Sequence, residues 1–224
     1  MLIRNTDLLF NDPWAFALQV SPLLVALVIG ISFHEFAHAA AATARGDFTA
    51  KRLGRLTLNP KAHLSLSGSL MLLIVGFGWG KPVPIDISRL RGGRRALAFV
   101  SAAGPASNVL LALAFASFFR VGLLPLGGLN PSGLQDWLTE TGAFLVYLNL
   151  ILAVFNLLPM PPLDGGGILA GLAPRSALPA VRQLQKIGPI VLVGVLLSTY
   201  VTNLNILGTI FGPVLDLTEK LIGG

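Results

Sequence analysis

Two histidines and a glutamate lie within five residues of one another, inside a long apolar stretch. His34, Glu35 and His38 are the only ionisable residues in Pro13–Ala44. An ionisable group at membrane depth costs about 2.5–3.5 kcal/mol on insertion scales, so such residues are usually functional. Residues four apart share one face of a helix, which lets both imidazoles bind one metal ion with the glutamate beside a metal-bound water. The pattern therefore predicts a metal site.

The composition indicates a polytopic membrane protein. Of the 224 residues, 54% are hydrophobic and 12% are charged, whereas a soluble domain carries about 25% charged residues. The formal net charge is +6, but the basic residues cluster in loops beside apolar segments, as membrane topology requires, so nucleic acid is not an expected partner. The chain has no cysteine, which leaves histidine and carboxylate as metal ligands.

Four segments are apolar and long enough to cross a bilayer, which takes about 20 helical residues. They are residues 14–44, 95–124, 142–158 and 187–211. A fifth segment, 64–79, is shorter, and its basic flanks favour a re-entrant piece over a true span. We expect an all-α polytopic membrane protein with four to six transmembrane helices in a single domain over residues 1–224. No signal-peptide cleavage site is recognisable, so we expect the N-terminus to be retained.

Charge placement predicts the orientation. Lysine and arginine follow the first segment and precede the second and the last, so the positive-inside rule places these loops in the cytoplasm and the N-terminus outside. Residues 48–58 alternate in a β-like way around Gly54, which predicts a small membrane-associated hairpin or sheet. Its edge could pair with an extended substrate segment, or the hairpin could only connect helices.

A catalytic zinc ion normally takes three protein ligands and leaves one position for water. The two downstream glutamates, Glu140 and Glu219, lie at the expected outer ends of segments, far from the histidine pair. His63 is on the expected cytoplasmic side and is possible. Asp164 is the favoured third ligand, because it follows the third long segment on the same side as the pair. Its loop contains three prolines and three glycines, which stop a helix and allow a sharp turn.

Five motifs carry a family resemblance. They are HEFAH (34–38), GRLTLNPKAH (54–63), GWGKPVP (78–84), AGPASN (103–108) and NLLPMPPLDGG (156–166). In this order and spacing, they resemble the site-2 protease family of intramembrane zinc metalloproteases. The chain is similar to the compact form of that family, which lacks PDZ and CBS domains.

The resemblance implies a role for each matching residue. His34, His38 and Asp164 would bind one zinc ion, and Glu35 would be the general base that activates the attacking water. Asn156 would contact substrate or assist the oxyanion. Asn108, which lies in the motif of a helix packed near the site, is a second substrate-binding candidate.

The resemblance also implies the substrate class and the location. The substrates would be single-span transmembrane proteins, cleaved within or near the bilayer of a prokaryotic cell membrane, with the active site towards the cytoplasm. Two other functions remain as alternatives. A metal transporter would need ligands along a path across the bilayer, whereas here the titratable groups gather at one depth. A catalytically inactive binder of membrane helices would not need Glu35.

Overall fold

The computed structural model describes residues 10–66, 68, 80–125, 133–201 and 206–223 of a helical protein. Its α-helices are α1 (Pro13–Ala44), α2 (Thr49–Arg52), α3 (Gly93–Arg120), α4 (Leu134–Leu157), α5 (Asp164–Leu172), α6 (Leu178–Val201) and α7 (Ile206–Gly223). Single 3-10 turns lie at Pro60–Ala62, Ile87–Arg89 and Arg175–Ala177.

Three of these helices, α1, α3 and α4, are long and apolar enough to cross a membrane. The shortest, α4, has 24 residues and extends about 36 Å at 1.5 Å per residue, which exceeds a hydrocarbon core of about 30 Å. Leucines such as Leu110 and Leu113 are exposed on α3. Surface of this kind suits contact with lipid, and the three long apolar helices indicate a membrane protein.

The number of spans is lower than expected within the described residues. Three helices there meet the length and hydropathy requirements, against the four to six predicted. The fourth predicted segment, 187–211, is divided between α6 and α7, with 202–205 outside the described residues. Most of the predicted re-entrant segment 64–79 also lies outside them.

The hairpin predicted over residues 48–58 is wrong. This stretch begins with the helical turn α2, and no strand occurs in the part of the chain that the structure describes. The cause is local: the side chain of Asp47 accepts a hydrogen bond from Thr49 N at 2.9 Å, which starts a helical turn instead of an extended strand. The described residues contain one isolated antiparallel β-bridge, between Leu64 and Gly80.

The long helices pack around small residues. α1, α3 and α4 pack on one another, α5 packs on α3, and α7 packs on α3 and α4. The largest buried cluster joins α3, α4 and α7 and consists of Ala112, Ala116, Phe119, Val146, Leu150 and Val214. Alanine lets helix backbones approach closely, as is usual in membrane helix interfaces. This packing fixes α1, α3 and α4 as the frame that carries the site.

Asp47 connects the end of α1 to a distant extended segment, residues 80–86, which we call the strap. The Asp47 side chain is fully buried, and its Oδ2 accepts a hydrogen bond from Asp86 N at 2.7 Å. Burial opposes ionisation of this carboxyl group, but hydrogen bonds from Thr49 and Asp86 outweigh burial and hold its pKa below the ordinary value. Its contribution to stability is therefore present above the unfolded-state pKa and is lost as the pH falls through the lowered pKa.

Replacing Asp47 with asparagine should destabilise the protein. In Asp47→Asn, an NH2 group replaces one of the two carboxylate oxygens and faces a backbone N–H, which is also a donor. One buried polar group then has no partner, at a cost of about 1–3 kcal/mol. Thermal unfolding in detergent at neutral pH measures this as a lower midpoint. The matched control is Asp12→Asn, because Asp12 is the exposed N-cap of α1 and both residue types cap helices equally well. Equal midpoints for the two variants would contradict this account of Asp47.

Candidate active site

Three potential metal ligands converge between α1 and α5. His34 and His38 lie four residues apart on α1, and Asp164 is the first residue of α5. The Nε2 atoms of the two histidines are 3.0 Å apart. Asp164 Oδ2 lies 3.1 Å from His34 Nε2 and Oδ1 lies 3.2 Å from His38 Nε2. Both histidines are buried and Asp164 is partly buried. The structure therefore brings together the three residues that the sequence predicted as ligands.

Glycines allow α5 to carry Asp164 to this position. A Cβ atom on Gly165 would lie 2.2 Å from Leu158 O, and one on Gly167 would lie 2.2 Å from Ser101 Oγ. Side chains there would push α5 away from α3 and from the end of α4. Asp164 thus begins a helix, whereas the sequence predicted a glycine-flanked loop, and the glycines serve close packing in helical conformation.

A third glycine keeps space beside the ligands. Gly104 is on α3, and a Cβ atom there would lie 2.3 Å from His38 Nε2 and 2.7 Å from His34 Cε1. Any larger residue would occupy the volume next to the imidazole nitrogens. Glycine at this position therefore lets α3 pack directly against the two imidazoles.

Hydrogen bonds fix the tautomers of the two histidines. His34 Nδ1 lies 2.6 Å from Asn108 Oδ1, and His38 Nδ1 lies 2.8 Å from Val100 O. Both facing atoms are acceptors, so each Nδ1 carries a proton and each imidazole turns its Nε2 towards the centre. The two Nε2 atoms and the Asp164 carboxylate therefore face one another in a mostly buried space, each Nε2 within ion-pair distance of one carboxylate oxygen. Two imidazoles and a carboxylate at these distances could bind one metal ion jointly.

The spacing fits zinc. With bonds of about 2.0–2.1 Å in tetrahedral geometry, neighbouring ligand atoms are about 3.3 Å apart. The observed separations of 3.0–3.2 Å are close to that value. Two imidazoles and one carboxylate leave the fourth position open, as in catalytic zinc sites.

Glu35 is next to the ligand His34 and is held by the strap. Its Oε2 accepts a hydrogen bond from Val83 N at 3.0 Å. Its Oε1 also lies close to Gly80, where an added Cβ would be 3.8 Å away. The side chain is half-buried and is not one of the three ligands.

Asn108 lies behind the metal group and is fully buried. Besides accepting from His34, it donates through Nδ2 to Gly30 O at 3.2 Å and to Asn149 Oδ1 at 2.7 Å. These two donations determine which end of the amide faces the histidine, so the oxygen is the end that meets His34. The observed contacts make Asn108 the partner of a ligand, and its contact with substrate stays a prediction.

Sequence reasoning missed Asn149. It is fully buried on α4, where its own Nδ2 donates to Leu145 O at 2.8 Å. The available signal was a second asparagine in the same apolar helix, seven residues before Asn156. Such a residue is costly in a membrane unless a neighbouring helix supplies a partner.

Two other candidates lie outside the ligand group. Asn156 is partly buried, and its Nδ2 donates to Leu152 O of its own helix at 2.9 Å, so its role towards substrate stays a prediction. His63 is fully buried, with Nε2 at 2.7 Å from Thr57 O. His63 is not a third ligand in this arrangement.

Known proteins share these features. The sequence profile of Peptidase family M50 matches residues 132–199. A Bacillus subtilis protein named "Putative zinc metalloprotease YwhC" is 40% identical over 170 residues, covering 75% of this chain and 77% of that protein. A Mycobacterium tuberculosis protein named "Putative zinc metalloprotease Rip2" is 32% identical over 209 residues, covering 91% and 75%.

The similarity extends to archaea. A Methanocaldococcus jannaschii protein named "Putative zinc metalloprotease MJ0611" is 29% identical over 146 residues, covering 65% of this chain and 68% of that protein. Among solved structures there is no significant match. The predicted resemblance is confirmed, and the chain belongs to the M50 family of site-2 zinc metalloproteases.

Proposed function

We propose that this protein is an intramembrane zinc endopeptidase that cleaves membrane-anchored, single-span proteins within or near their transmembrane segments. The observation that carries the proposal is the depth of the ligand group along a membrane-spanning helix. His38 lies six residues before the end of α1, about 9 Å along the helix axis. A 32-residue helix centred on a hydrocarbon core of about 30 Å would carry His34 within that core and His38 at its edge.

The chain's own residues supply the proton transfers. Zinc, when bound by His34, His38 and Asp164, supplies Lewis-acid activation of water and of the scissile carbonyl group. Glu35 accepts the proton of the attacking water and later returns it to the leaving amine as the C–N bond breaks. Asn156 donates a hydrogen bond to the oxyanion, for which its side chain must leave Leu152 O.

We also propose that the site faces the cytoplasm of a prokaryotic cell, with the N-terminus outside. Basic residues support this orientation, because Lys51, Arg52, Arg89 and Arg91 are exposed near the end of α1 that carries the site. Lysine and arginine are retained on the cytoplasmic side of membrane proteins. The three relatives described above come from bacteria and an archaeon.

Replacing Glu35 with glutamine tests the catalytic role. Glu35→Gln removes the proton acceptor without touching a ligand, so cleavage should fall about 10²–10⁴-fold while the zinc content stays near one per chain. The measurement combines metal analysis of the purified protein with cleavage of a panel of single-span substrates in proteoliposomes. The matched control is Glu219→Gln, because Glu219 is exposed on α7. Cleavage at the wild-type rate by Glu35→Gln, or zinc loss from it, would refute the assignment.

Substitutions at Asn108 test the partner of His34. Asn108→Leu removes the acceptor that fixes the tautomer, and zinc affinity should fall about 10–100-fold, as for other groups that orient metal ligands. Asn108→Asp keeps an oxygen opposite Nδ1 but loses the donations to Gly30 O and Asn149 Oδ1, so it should recover only part of the affinity. Competition with a chelator measures both values without substrate. If Asn108→Leu binds zinc as tightly as the wild type, the hydrogen bond does not orient the ligand.

A further inference from the structure

We propose that Arg55 is a positioning residue for Glu35 and acts through the peptide group that joins Pro82 to Val83. The inference rests on the proposed function, in which Glu35 is the general base. Arg55 is 6% exposed. Its Nη2 donates to Pro82 O at 2.7 Å and to Lys81 O at 2.5 Å.

The two ends of one peptide group connect Arg55 to Glu35. The Pro82 carbonyl accepts from the guanidinium, and the amide N–H of the same peptide, on Val83, donates to Glu35 Oε2 at 3.0 Å. A cation at the oxygen end polarises the peptide group and strengthens donation at the nitrogen end. The peptide thus lies between a guanidinium and a carboxylate, aligned with both charges.

The local sequence leaves one donor for this contact. Pro82 and Pro84 have no backbone N–H, so Val83 supplies the single amide hydrogen of that tripeptide. The strap must therefore hold Val83 in register with Glu35, since a shift by one residue in either direction would present a proline.

Among the described residues, Arg55 forms no ion pair with a carboxylate. The ion pairs found there involve His34, His38 and Arg89, and none involves Arg55. A buried charge is costly unless it is hydrogen-bonded. Two carbonyl groups of the strap provide those bonds, which accounts for an arginine in this place.

Other contacts hold the strap when Arg55 is replaced. Lys81 N donates to His63 O at 2.6 Å, and the Val83 side chain packs with Ala39 and Ala50 in a buried cluster. We therefore expect variants at Arg55 to fold and to bind zinc, because these contacts and the three ligands remain. The effect should be confined to the position of the Glu35 carboxylate.

The first experiment measures kcat, KM and zinc content of the full chain in proteoliposomes. Arg55→Met should lower kcat about 10–100-fold, as expected when a reacting group is displaced, with KM and zinc content unchanged. Arg55→Lys should recover part of kcat, because a single ammonium group can reach one carbonyl. The matched control is Arg52→Met, since Arg52 is exposed on α2 and should behave as the wild type.

A double variant separates positioning from a general structural role. In the Glu35→Gln background, Arg55→Met should cause no further loss, because groups that act through one another are not additive. A structural role would lower activity by the same factor in both backgrounds. An additive loss, or a loss of zinc in Arg55→Met, would overturn the proposal.

A second measurement needs no catalytic activity. Hydrogen exchange at the Val83 amide should be faster in Arg55→Met and in Glu35→Ala than in the wild type, and unchanged in Arg52→Met. Unchanged exchange in Arg55→Met would overturn the proposal even if kcat fell. A wild-type protein that cleaves no substrate would count against the proposed function, and exchange at Val83 would then decide the coupling of Arg55 to Glu35 by itself.

Discussion

The site depends on the convergence of two imidazoles and one carboxylate in a mostly buried space. His34 and His38 present Nε2 to Asp164 because each Nδ1 is committed to an acceptor, Asn108 Oδ1 in one case and Val100 O in the other. The three groups come from two helices that are far apart in sequence, so the surrounding helices must hold them together. The close packing of α1, α3 and α4, and the glycines that admit α5, supply that constraint.

The helices contribute in layers around this centre. α1 supplies the histidine pair and Glu35, α3 supplies Gly104 and Asn108, and α4 supplies Asn149 behind them. The strap lies on the other side of Glu35 and is fixed by two buried charged residues, Asp47 and Arg55. The candidate ligands and Glu35 are therefore oriented by separate sets of hydrogen bonds, and a change in one set need not disturb the other.

Periodicity and composition predicted the apolar helices and the ligand group. The four-residue spacing of His34 and His38 gives a shared helix face regardless of tertiary structure, and loop charges alone placed Asp164 on the same side. The family resemblance was confirmed by relatives across bacteria and an archaeon. These features are encoded locally or in the order of motifs, so the sequence was sufficient for them.

One local feature and several long-range contacts were missed. The predicted hairpin over 48–58 was wrong because one side chain, Asp47, starts a helical turn. The alternation of polar and apolar residues does not indicate such a turn. Asn149 contacts Asn108, 41 residues away. Arg55 contacts Lys81 and Pro82, 26 and 27 residues away. No local sequence pattern reveals such pairs. The glycines after Asp164 signalled a turn in sequence but serve helix packing in the structure.

The most direct test of the account is zinc X-ray absorption on the purified full chain. We expect one zinc per chain, coordinated by two imidazole nitrogens and carboxylate or water oxygen at about 2.0–2.1 Å, and we expect Asp164→Ala and His38→Ala each to lose that signature. A zinc-free protein, or a six-coordinate oxygen shell that both substitutions leave unchanged, would contradict joint binding by α1 and α5.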